Sequence, residues 1–426
     1  AMKDRRATVQ SFGCRLNIWE SEVISRHGEE AGLADTIIIN TCAVTAEAEK
    51  QARQAVRRQR RDHPDSRIVV TGCAAQIDPA SWQAMAEVDA VIGNHEKLQR
   101  DTWQKLAARN TPDTMMAVGD IMTVRDVAPH LLEGFDHHTR AFLQVQQGCD
   151  HRCTFCIIPY GRGNSRSVPA ADIISQTRQL AEAGIAEVVL TGVDITSWGG
   201  DLNGTPKLGG LVRQLLDQVP QLQRLRLSSV DPAEADDDLL TALADDHRLM
   251  PHLHLSVQHG HDLILKRMKR RHSATDVLDL VREVRRIRPD TVFGADLIAG
   301  FPTEDDAAHE ATLNLIDDAQ LTWLHVFPYS PRQGTPAARM PQVDGTLIRQ
   351  RAASLRERAA RHQQAFLDSR IGHDDEVLME TGGIGHSRQF ARVRIEGPHS
   401  QAPAGTVCPV RITAREGDVL IAEKRA

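Results

Sequence analysis

The feature that most constrains this chain is a group of three cysteines within eight residues, in the run Gly148-Cys149-Asp150-His151-Arg152-Cys153-Thr154-Phe155-Cys156. The spacing is C-x3-C-x2-C, and three thiolates this close together can each reach a different iron of one [4Fe–4S] cluster. The fourth iron would stay open to a ligand that is not protein, because the next cysteine along the chain is Cys408. The alternative is a zinc site that also uses His151, although structural zinc sites normally close with four protein ligands.

Three further cysteines, Cys14, Cys42 and Cys73, each end a run of β-forming residues that is followed by a helix-like segment. The β runs are 7–14, 36–42 and 67–73, and the helical segments are 20–31, 45–61 and 79–87. This alternation predicts a parallel sheet covered by helices. Because the carboxyl ends of parallel strands meet at one edge, the three thiols can form a second three-cysteine site. The alternative is three small buried residues at strand ends.

The middle and the end of the chain predict two further kinds of architecture. From about 139 to 340, six β runs alternate with amphipathic helical segments, at 141–146, 187–191, 224–228, 252–257, 291–298 and 321–327. This pattern predicts an open, TIM-like (βα)6 barrel with its site at the carboxyl ends of the strands. A long basic helix is predicted over 341–364. Short strands at 376–380, 390–396, 406–414 and 418–423 then predict a small all-β barrel of OB-like type.

A chain of 426 residues is too long for one ordinary domain. We therefore predict an α/β protein of three domains: an N-terminal parallel-sheet domain over 1–138, the barrel over 139–368 and the all-β module over 369–426. Seven cysteines with no apolar signal-like segment before them predict a reducing, cytoplasmic setting rather than a disulfide framework. No run of about 18 apolar residues is present, so the sequence predicts no membrane span.

Together these motifs resemble those of the methylthiotransferases of the radical S-adenosylmethionine superfamily, over nearly the whole chain. The matching runs are 12–17, 40–45, 71–76 and 148–163. The resemblance implies a radical S-adenosylmethionine (radical SAM) barrel in the centre and a C-terminal barrel of the TRAM type. Within the family, the runs 153–163 and 325–330 are most similar to the enzymes that act on N6-threonylcarbamoyladenosine at position 37 of tRNA.

The resemblance implies two [4Fe–4S] clusters and S-adenosylmethionine as cofactors. The catalytic cluster, which would cleave S-adenosylmethionine by electron transfer, would be held by Cys149, Cys153 and Cys156. The auxiliary cluster, which would carry the sulfur, would be held by Cys14, Cys42 and Cys73. The product would be the 2-methylthio derivative of the adenosine. Alternatives are the same chemistry on N6-isopentenyladenosine 37 of tRNA or on an aspartate of a ribosomal protein, and, in another class, a non-catalytic metal-binding protein that docks RNA.

By similarity, other contacts to S-adenosylmethionine would come from the strand ends of the barrel. The residues implied are Thr191, Gly192, Asp194, Ser229, Gln258, Ile298 and Gly300. Two positions depart from the family pattern: Asp194 stands where many relatives have Asn or Gln, and His259 stands where relatives often have Ser. The implied partners are S-adenosylmethionine, the anticodon loop of tRNA, and an electron donor such as a flavodoxin or a ferredoxin.

The net charge of −6 gives no support for a nucleic-acid partner, so RNA contact is predicted from local patches. Residues 50–61 carry six cations and no acid, residues 266–272 form a second basic run, and arginines alternate on a strand of the last domain. The predicted RNA-binding residues are Arg53, Arg57, Arg60, Arg61, Lys266, Arg270, Arg392 and Arg394. The alternative for each patch is a solvated charged face. The segment 50–61 favours an RNA over a protein substrate.

Overall fold

The computed structural model describes residues 7–13, 15–109, 111, 113–125, 139–397 and 402–425. Cys14 lies outside these residues. The chain forms two compact units. The first comprises Ala1–Leu132, Gln146–Val168 and Ser330–Ala338, and the second comprises Glu133–Val145, Pro169–Tyr329 and Arg339–Ala426. The cysteine motif at 149–156 therefore belongs to the first unit, and the domain boundaries at 138 and 368 stay a prediction.

A five-stranded parallel sheet forms the centre of the first unit. Its strands are β1 (Thr8–Ser11), β2 (Thr36–Thr41), β3 (Arg67–Gly72), β4 (Ala90–Ile92) and β5 (Met115–Ala117), in that order across the sheet. Its helices are α1 (Arg15–Glu30), α2 (Ala46–Asp62), α3 (Cys73–Ile77), α4 (Pro79–Gln83) and α5 (Arg100–Ala107). Every neighbouring pair of strands is parallel, so all the carboxyl ends lie at one edge. The parallel sheet predicted from the sequence is confirmed.

The sequence explains these elements locally. All six residues of β2 are buried, as expected for a central strand rich in β-branched residues with both faces covered. Helix α2 begins after Thr45, whose side chain accepts from the backbone N–H of Ala48, and it packs through Ala52 and Val56. The helix predicted over 79–87 is shorter in the structure: α4 begins at Pro79, after its cap Asp78, and ends at Gln83.

The segment that carries the cysteine motif follows the first strand of the barrel, β6 (Arg140–Gln144). A short antiparallel ribbon flanks the motif, formed by β7 (Gln146–Gln147) and β8 (Arg166–Ser167). The helix α6 (Ile158–Arg162) lies between the motif and β8. The motif itself is a loop whose two ends are held together by this ribbon.

The second unit contains the predicted barrel. Its strands are β6, β9 (Glu187–Thr191), β10 (Arg224–Leu227), β11 (His252–Gln258), β12 (Val292–Ala299) and β13 (Trp323–Pro328). Its helices are α7 (Ala170–Glu182), α8 (Leu208–Gln218), α9 (Asp237–Asp245), α10 (Asp262–Arg267), α11 (Ala274–Ile287) and α12 (Asp306–Asp318). Two parallel three-stranded sheets, β10-β9-β6 and β11-β12-β13, are joined by bridges such as Val230 to Leu255. The six-strand (βα)6 prediction is confirmed.

The last part of the second unit is a small closed barrel. The helix α13 (Gly345–Arg370) leads into β14 (Asp374–Met379), β15 (Ile384–Ser387), β16 (Arg392–Glu396), β17 (Val407–Glu416) and β18 (Val419–Lys424). The sequence missed β15, a four-residue strand that contains a glycine. Cys408 is buried in the core of this barrel, and the architecture is consistent with a TRAM-type module. Among the described residues, no helix combines the length and the apolar character that crossing a bilayer requires.

Candidate functional site

Cys42 and Cys73 lie directly after the ends of two neighbouring strands. The parallel register places Thr41 beside Gly72, so the residues that follow these two positions start from adjacent points of the sheet edge. Both cysteines are buried. Strand β1 pairs with β2 on the other side, with Ser11 beside Asn40. The structure therefore places two of the three predicted auxiliary ligands as the strand pattern indicates, while Cys14 lies outside the described residues.

Two glycines allow the backbone to approach these cysteines closely. Gly13 has a φ of +102°, and a Cβ at this position would lie 2.7 Å from the Cβ and 2.8 Å from the Sγ of Cys42. Gly161, in α6, would place a Cβ 3.2 Å from the Cβ of Cys73. Both contacts lie within the first unit. The space beside the two thiols is therefore kept open by residues without side chains.

Asn94 connects the cysteine motif segment to the edge of the sheet. It stands two residues beyond β4, and its Nδ2 donates to the carbonyl of Gly161 at 2.5 Å and to the Sγ of Cys73 at 3.6 Å. Asn94 is buried. Asn94 is not part of any motif recognised in the sequence, although it is a polar residue after a buried strand, as the cysteines are.

The three cysteines of the motif are partly exposed and are shaped by backbone contacts. The N–H of Cys149 donates to the carbonyl of Gly163 at 3.0 Å, and the N–H of Cys156 donates to the carbonyl of Cys153 at 3.1 Å. The Nη1 of Arg152 donates to the carbonyl of Cys149 at 2.6 Å. These bonds fold the eight residues from Cys149 to Cys156 into a tight loop. Ligation of one cluster by the three thiols stays a prediction.

A buried cluster of charged side chains lies behind the cysteine-bearing edge. Glu20 accepts from the Nζ of Lys97 at 2.7 Å, from both terminal nitrogens of Arg162 at 2.7 and 3.0 Å, and from the Nε2 of Gln147 at 3.0 Å. Arg162 also donates to the Oδ1 of Asn17 at 2.6 Å. Burial alone would raise the pKa of Glu20, but the two cations outweigh it and lower the pKa to about 2.

No local pattern in the sequence predicts this charged cluster. Arg162 lies in the matching run 148–163 and Glu20 follows the run 12–17, so both were close to recognised motifs. Nothing in the sequence pairs them, because they are 142 residues apart. Lys97 is fully buried and gives no local signal that separates it from an exposed lysine.

The donor set of the first unit fits iron–sulfur ligation. Cysteine thiolates are the protein ligands of these clusters. Gly13 and Gly161, which have no side chains, leave space beside Cys42 and Cys73. Burial lowers the pKa of Lys97, whereas Glu20 and, less strongly, Cys73 favour its charged form. Lys97 and Arg162 thus form one buried ionic group with Glu20 in the same unit as the cysteines.

The predicted contacts to S-adenosylmethionine lie at the carboxyl ends of the barrel strands in the second unit. Thr191 ends β9, Ile298 lies next to the end of β12, and Gly300 follows that strand with a φ of +73°. Gln258 ends β11 with a φ of +74°, after a register shift between Leu255 and Gln258. The remaining predicted residues, Gly192, Asp194 and Ser229, follow β9 and β10 in loops.

Two hydroxyl groups at these strand ends support a ligand in this region. Among the described residues, neither Thr191 Oγ1 nor Ser228 Oγ has a hydrogen-bond partner, although both atoms are buried. Buried polar atoms without partners are costly, and a bound polar ligand removes that cost. Asp194 is already engaged, since its carboxylate accepts from Thr196 Oγ1 at 2.9 Å and from Ser197 Oγ at 2.7 Å. Asp194 therefore shapes the loop after β9.

The opposite end of the barrel strands is closed by an ionic group and one aromatic ring. Glu187 accepts from the Nε of Arg226 at 3.0 Å and pairs with Arg140 at 3.1 Å. The ring of Phe390 lies under the guanidinium groups of Arg226 and Arg140, at 4.9 and 5.2 Å, and stacks on His252 at 5.7 Å. Side chains from β6, β10 and β11 thus converge on one ring, so this face of the strands is concave.

The histidine that departs from the family pattern has a structural position. His259 is buried, and its Nε2 lies 2.9 Å from the Oε2 of Glu304. Glu304 also accepts from the Nη1 of Arg351 at 3.0 Å. His259 therefore belongs to a packed ionic group between β11, the turn after β12 and α13.

The predicted RNA-binding residues divide into exposed and internally bonded cations. Arg57, Arg61, Lys266 and Arg392 are exposed. Arg394 is partly exposed and pairs with Glu396 and Glu416. Arg53, Arg60 and Arg270 are bonded within their own units, and this placement does not fit the role predicted for them.

The side chains of these three arginines are held by hydrogen bonds within their own units, so they are less available to a phosphate than the exposed arginines. Arg53 donates to Ser81 Oγ at 2.7 Å and lies 4.1 Å over the ring of Trp82. Arg60 donates to the carboxylate of Asp89 at 2.6 Å and to three backbone carbonyls. Arg270 is mostly buried against Asp231, at 2.7 Å. Counting positions on a helical face cannot distinguish such residues from solvated ones.

A cavity of about 530 Å³ opens in the first unit, next to the cysteine-bearing segments. Gln76 and Ile77 of α3, Met122, Ile157 and Tyr160 are among its lining residues. The side chain of Tyr160 is exposed, with 49% of its surface accessible to solvent. The sequence alone singles out no aromatic residue that could stack on a base, and Tyr160 is a candidate in the structure.

Two family models match the chain. Residues 143–316 match the radical SAM superfamily, and residues 6–93 match a family described as uncharacterized protein family UPF0004.

Curated relatives match over almost the whole length. The chain is 50% identical to the threonylcarbamoyladenosine tRNA methylthiotransferase MtaB of Rickettsia prowazekii, over 92% of this chain and 91% of that protein. It is 36% identical to MtaB of Bacillus subtilis, over 82% and 79%. It is 33% identical to the tRNA-2-methylthio-N(6)-dimethylallyladenosine synthase of Ruegeria pomeroyi, over 98% and 99%.

A solved structure with a similar fold is the radical S-adenosylmethionine methyltransferase TsrM from Kitasatospora setae, with a TM-score of 0.57 and 14% identity. The similarity covers 79% of this chain and 77% of that one. At this identity it supports the fold alone.

Proposed function

The chain belongs to the radical SAM tRNA methylthiotransferases, and on that premise we propose that its substrate is N6-threonylcarbamoyladenosine at position 37 of tRNA. The product would be 2-methylthio-N6-threonylcarbamoyladenosine. The observation that carries this proposal is the half-identical relative from Rickettsia prowazekii, whose name states that substrate. Relatives named for dimethylallyladenosine share about a third of their residues with this chain, so that nucleoside is the second candidate.

The reaction explains the cofactors of the family, two [4Fe–4S] clusters and S-adenosylmethionine. The C2–H bond of adenine is strong and not acidic, so a positioned acid or base cannot activate it. When bound, the clusters and S-adenosylmethionine supply the radical chemistry that replaces this bond by a C–S bond. The six cysteines Cys14, Cys42, Cys73, Cys149, Cys153 and Cys156 would hold the clusters.

The chain's own residues would orient the reactants. In the first unit, Asn94 donates to both Cys73 and the backbone of Gly161, which would fix the position of one thiol relative to α6. The Glu20–Lys97–Arg162 group would fix the position of α1 relative to α6. In the second unit, the hydroxyl groups of Thr191 and Ser228 would donate to S-adenosylmethionine, since both are buried and without partners among the described residues.

Contact with tRNA would use exposed cations and one aromatic side chain. Arg57 and Arg61 are exposed on α2, and Lys266 is exposed on α10. Their contacts would be to phosphates, which give affinity without reading the base sequence. Tyr160 would stack on an unpaired base of the anticodon loop. An electron donor of the flavodoxin or ferredoxin class and a cytoplasmic location complete the proposal.

Nucleoside mass spectrometry of tRNA tests the proposal directly. A strain without the gene is complemented with the wild-type gene or with Cys153→Ala, and the total tRNA is digested to nucleosides. We expect the 2-methylthio derivative of threonylcarbamoyladenosine to return with the wild-type gene only, while the unmethylthiolated nucleoside accumulates with Cys153→Ala. Restoration of the methylthio derivative of isopentenyladenosine instead would move the assignment to the second candidate. If no tRNA nucleoside changed, a protein substrate would have to be considered.

A further inference from the structure

Three side chains on neighbouring strands of the barrel form a group that the cofactors do not explain. The Nε2 of His254, on β11, lies 2.9 Å from the Oδ1 of Asp296, on β12. The Nδ1 of His325, on β13, lies 3.0 Å from the same oxygen. The two imidazole rings are 4.8 Å apart. Parallel register makes this group possible, because Asp296 is directly opposite His325.

This group lies on the concave face of the strands. Phe293 of β12 faces the helices, since the guanidinium of Arg285 in α11 lies 5.2 Å from its ring. Side chains alternate along a strand, so Asp296 points away from the helices. Ile298, a predicted cofactor contact, is two residues farther along the same face, which corresponds to about 7 Å. The group therefore lies below the strand ends where S-adenosylmethionine is proposed to bind.

Toward the amino ends of the strands, the space next to the group is closed. His252, two residues before His254, stacks on Phe390 at 5.7 Å and forms the end of the concave face described above. Exposure rises across the group: the side chain of His254 is 9% exposed, that of Asp296 29% and that of His325 61%. A ligand that enters from the strand ends would therefore meet His325 and Asp296, with His254 behind them.

The hydrogen bonds define what such a ligand must offer. Burial alone would raise the pKa of Asp296, but hydrogen bonds from His254 and His325 outweigh it, so the pKa lies well below its usual range. Among the described residues, the Oδ2 of Asp296 accepts no hydrogen bond, and it can accept one from a hydroxyl group. Since the Nδ1 of His325 is directed at Asp296, its Nε2 is the ring nitrogen that can meet a ligand. A ring bonded to one carboxylate through Nδ1 can donate to a second carboxylate through Nε2.

The threonylcarbamoyl group carries both complementary features, one hydroxyl and one carboxylate. We propose that His254, Asp296 and His325 form the subsite for the threonine moiety of the threonylcarbamoyl group. This proposal rests on the substrate proposed above. His325 binds the carboxylate, Asp296 accepts from the hydroxyl, and His254 holds Asp296 in place. Gly294 leaves room for this arrangement, because a Cβ there would lie 2.5 Å from the Nδ1 of His254.

The subsite also gives a reason for discrimination against the isopentenyl nucleoside. An apolar group at this position would displace water from His325 and Asp296 without replacing the hydrogen bonds that the water made. Sites built to hydrogen-bond a polar group reject apolar analogues strongly, because the protein's own groups are left unpaired. His325 and Asp296 are thus specificity-determining residues of the proposed reaction.

The test measures binding and turnover with one tRNA sequence prepared in three forms. Position 37 carries adenosine, threonylcarbamoyladenosine or isopentenyladenosine. Reconstituted wild-type enzyme is compared with His325→Phe and Asp296→Asn, with His362→Gln as the matched control, since His362 pairs with Asp317 at 2.8 Å on the outer helix α13. Dissociation constants are measured without S-adenosylmethionine. Iron content and tRNA-independent formation of 5′-deoxyadenosine report whether the clusters are intact.

We expect wild-type enzyme and His362→Gln to bind the threonylcarbamoyl form about 10- to 100-fold more tightly than the adenosine form, as a charged hydrogen bond predicts. His325→Phe and Asp296→Asn should lose most of that preference, with unchanged affinity for the adenosine form, iron content and 5′-deoxyadenosine formation. The conservative variant His325→Gln, which keeps a donor, should retain part of the preference.

Three outcomes would overturn the subsite. The first is an undiminished preference in His325→Phe and Asp296→Asn. The second is a stoichiometric divalent metal that is lost in both variants and on which the preference depends, which would make the group a metal site. The third is wild-type enzyme that methylthiolates only the isopentenyl form, which would refute the proposed function itself. Retained threonylcarbamoyl turnover with an undiminished preference in the variants refutes the subsite alone.

Discussion

Both terminal nitrogens of Arg162 donate to the carboxylate of Glu20, at 2.7 and 3.0 Å, and neither side chain is more than 2% exposed. Arg162 lies six residues after Cys156, and Glu20 lies six residues after Cys14. The ion pair therefore joins the segments that carry the two predicted sets of cluster ligands. A bidentate arginine–carboxylate pair fixes orientation as well as distance. This suits a first unit whose predicted ligands come from several separate loops.

The first prediction concerns the contribution of Arg162 to stability. Arg162→Met leaves Glu20 buried with Lys97 as its remaining cation, and loss of one partner of a buried pair costs about 3–5 kcal/mol. Arg162→Lys keeps the charge but loses the bidentate geometry, so its cost should be smaller. Urea unfolding of the anaerobically purified enzyme measures both values. Arg58→Met, at an exposed position of α2, is the control, and equal losses in Arg162→Met and Arg58→Met would contradict the prediction.

The second prediction compares two glycines that both have positive φ. Gly13→Ala places a methyl group 2.7 Å from the Cβ of Cys42, whereas Gly32→Ala, at a φ of +68°, meets no atom within 4 Å. Both substitutions carry the backbone strain of a left-handed conformation, about 1 kcal/mol. Only Gly13→Ala should also lose the auxiliary cluster, about four iron atoms per chain. Iron analysis and electron paramagnetic resonance check this, and full iron content in Gly13→Ala would refute it.

The third prediction is a pH dependence that involves Glu187. Burial alone would raise its pKa, but Arg226, Arg140 and Arg224 outweigh burial and lower the pKa to about 2, from an ordinary value near 4.5. Since the folded-state pKa is the lower one, the stabilisation is complete above pH 4.5 and is lost as the pH falls toward 2.

The measurement is the free energy of unfolding of the apoprotein, with and without Glu187→Gln, between pH 6 and pH 2.5. The wild-type protein should be the more stable at pH 6, because Glu187→Gln leaves buried guanidinium groups without a counter-charge. The difference between the two proteins should then shrink below pH 4.5. A difference that stays constant over this range would show that Glu187 does not carry the expected linkage.

The fourth prediction separates exposed from bonded arginines on α2. Arg57→Ala and Arg61→Ala remove exposed cations, so each should weaken tRNA binding and reduce the slope of log K against log salt by about one. Arg60→Ala removes the bonds to Asp89 and to backbone carbonyls, so it should lower stability and leave that slope unchanged. Filter binding at several salt concentrations measures the slopes. A reduced slope in Arg60→Ala would restore Arg60 to the RNA-binding face.

Cys42 and Cys73 lie where the sequence pattern predicts them. The strand before Cys42 reads Thr-Ile-Ile-Ile-Asn-Thr, and the structure makes this run a fully buried strand with the cysteine just beyond it. Cys73 likewise lies just beyond β3, which is buried from Ile68 to Gly72. A run of β-branched residues that ends at a polar position is a local signal, so it predicts a strand without knowledge of the segments that pack against it. The four-residue strand β15 has no such run, and it was missed.

The sequence by itself determined the parallel sheet, the six-strand barrel, the closing β module and the C-x3-C-x2-C loop, because each depends on residues close together in the chain. Only the tertiary structure decided which polar side chains meet. Glu20, Lys97 and Arg162 come from three distant segments, and His254, Asp296 and His325 come from three strands. The same holds for Arg60 and Arg270, whose partners turned predicted surface charges into internal bonds. The physical reason is that the position of a charged side chain depends on the group with which it pairs. That group comes close only when segments distant in the chain pack together.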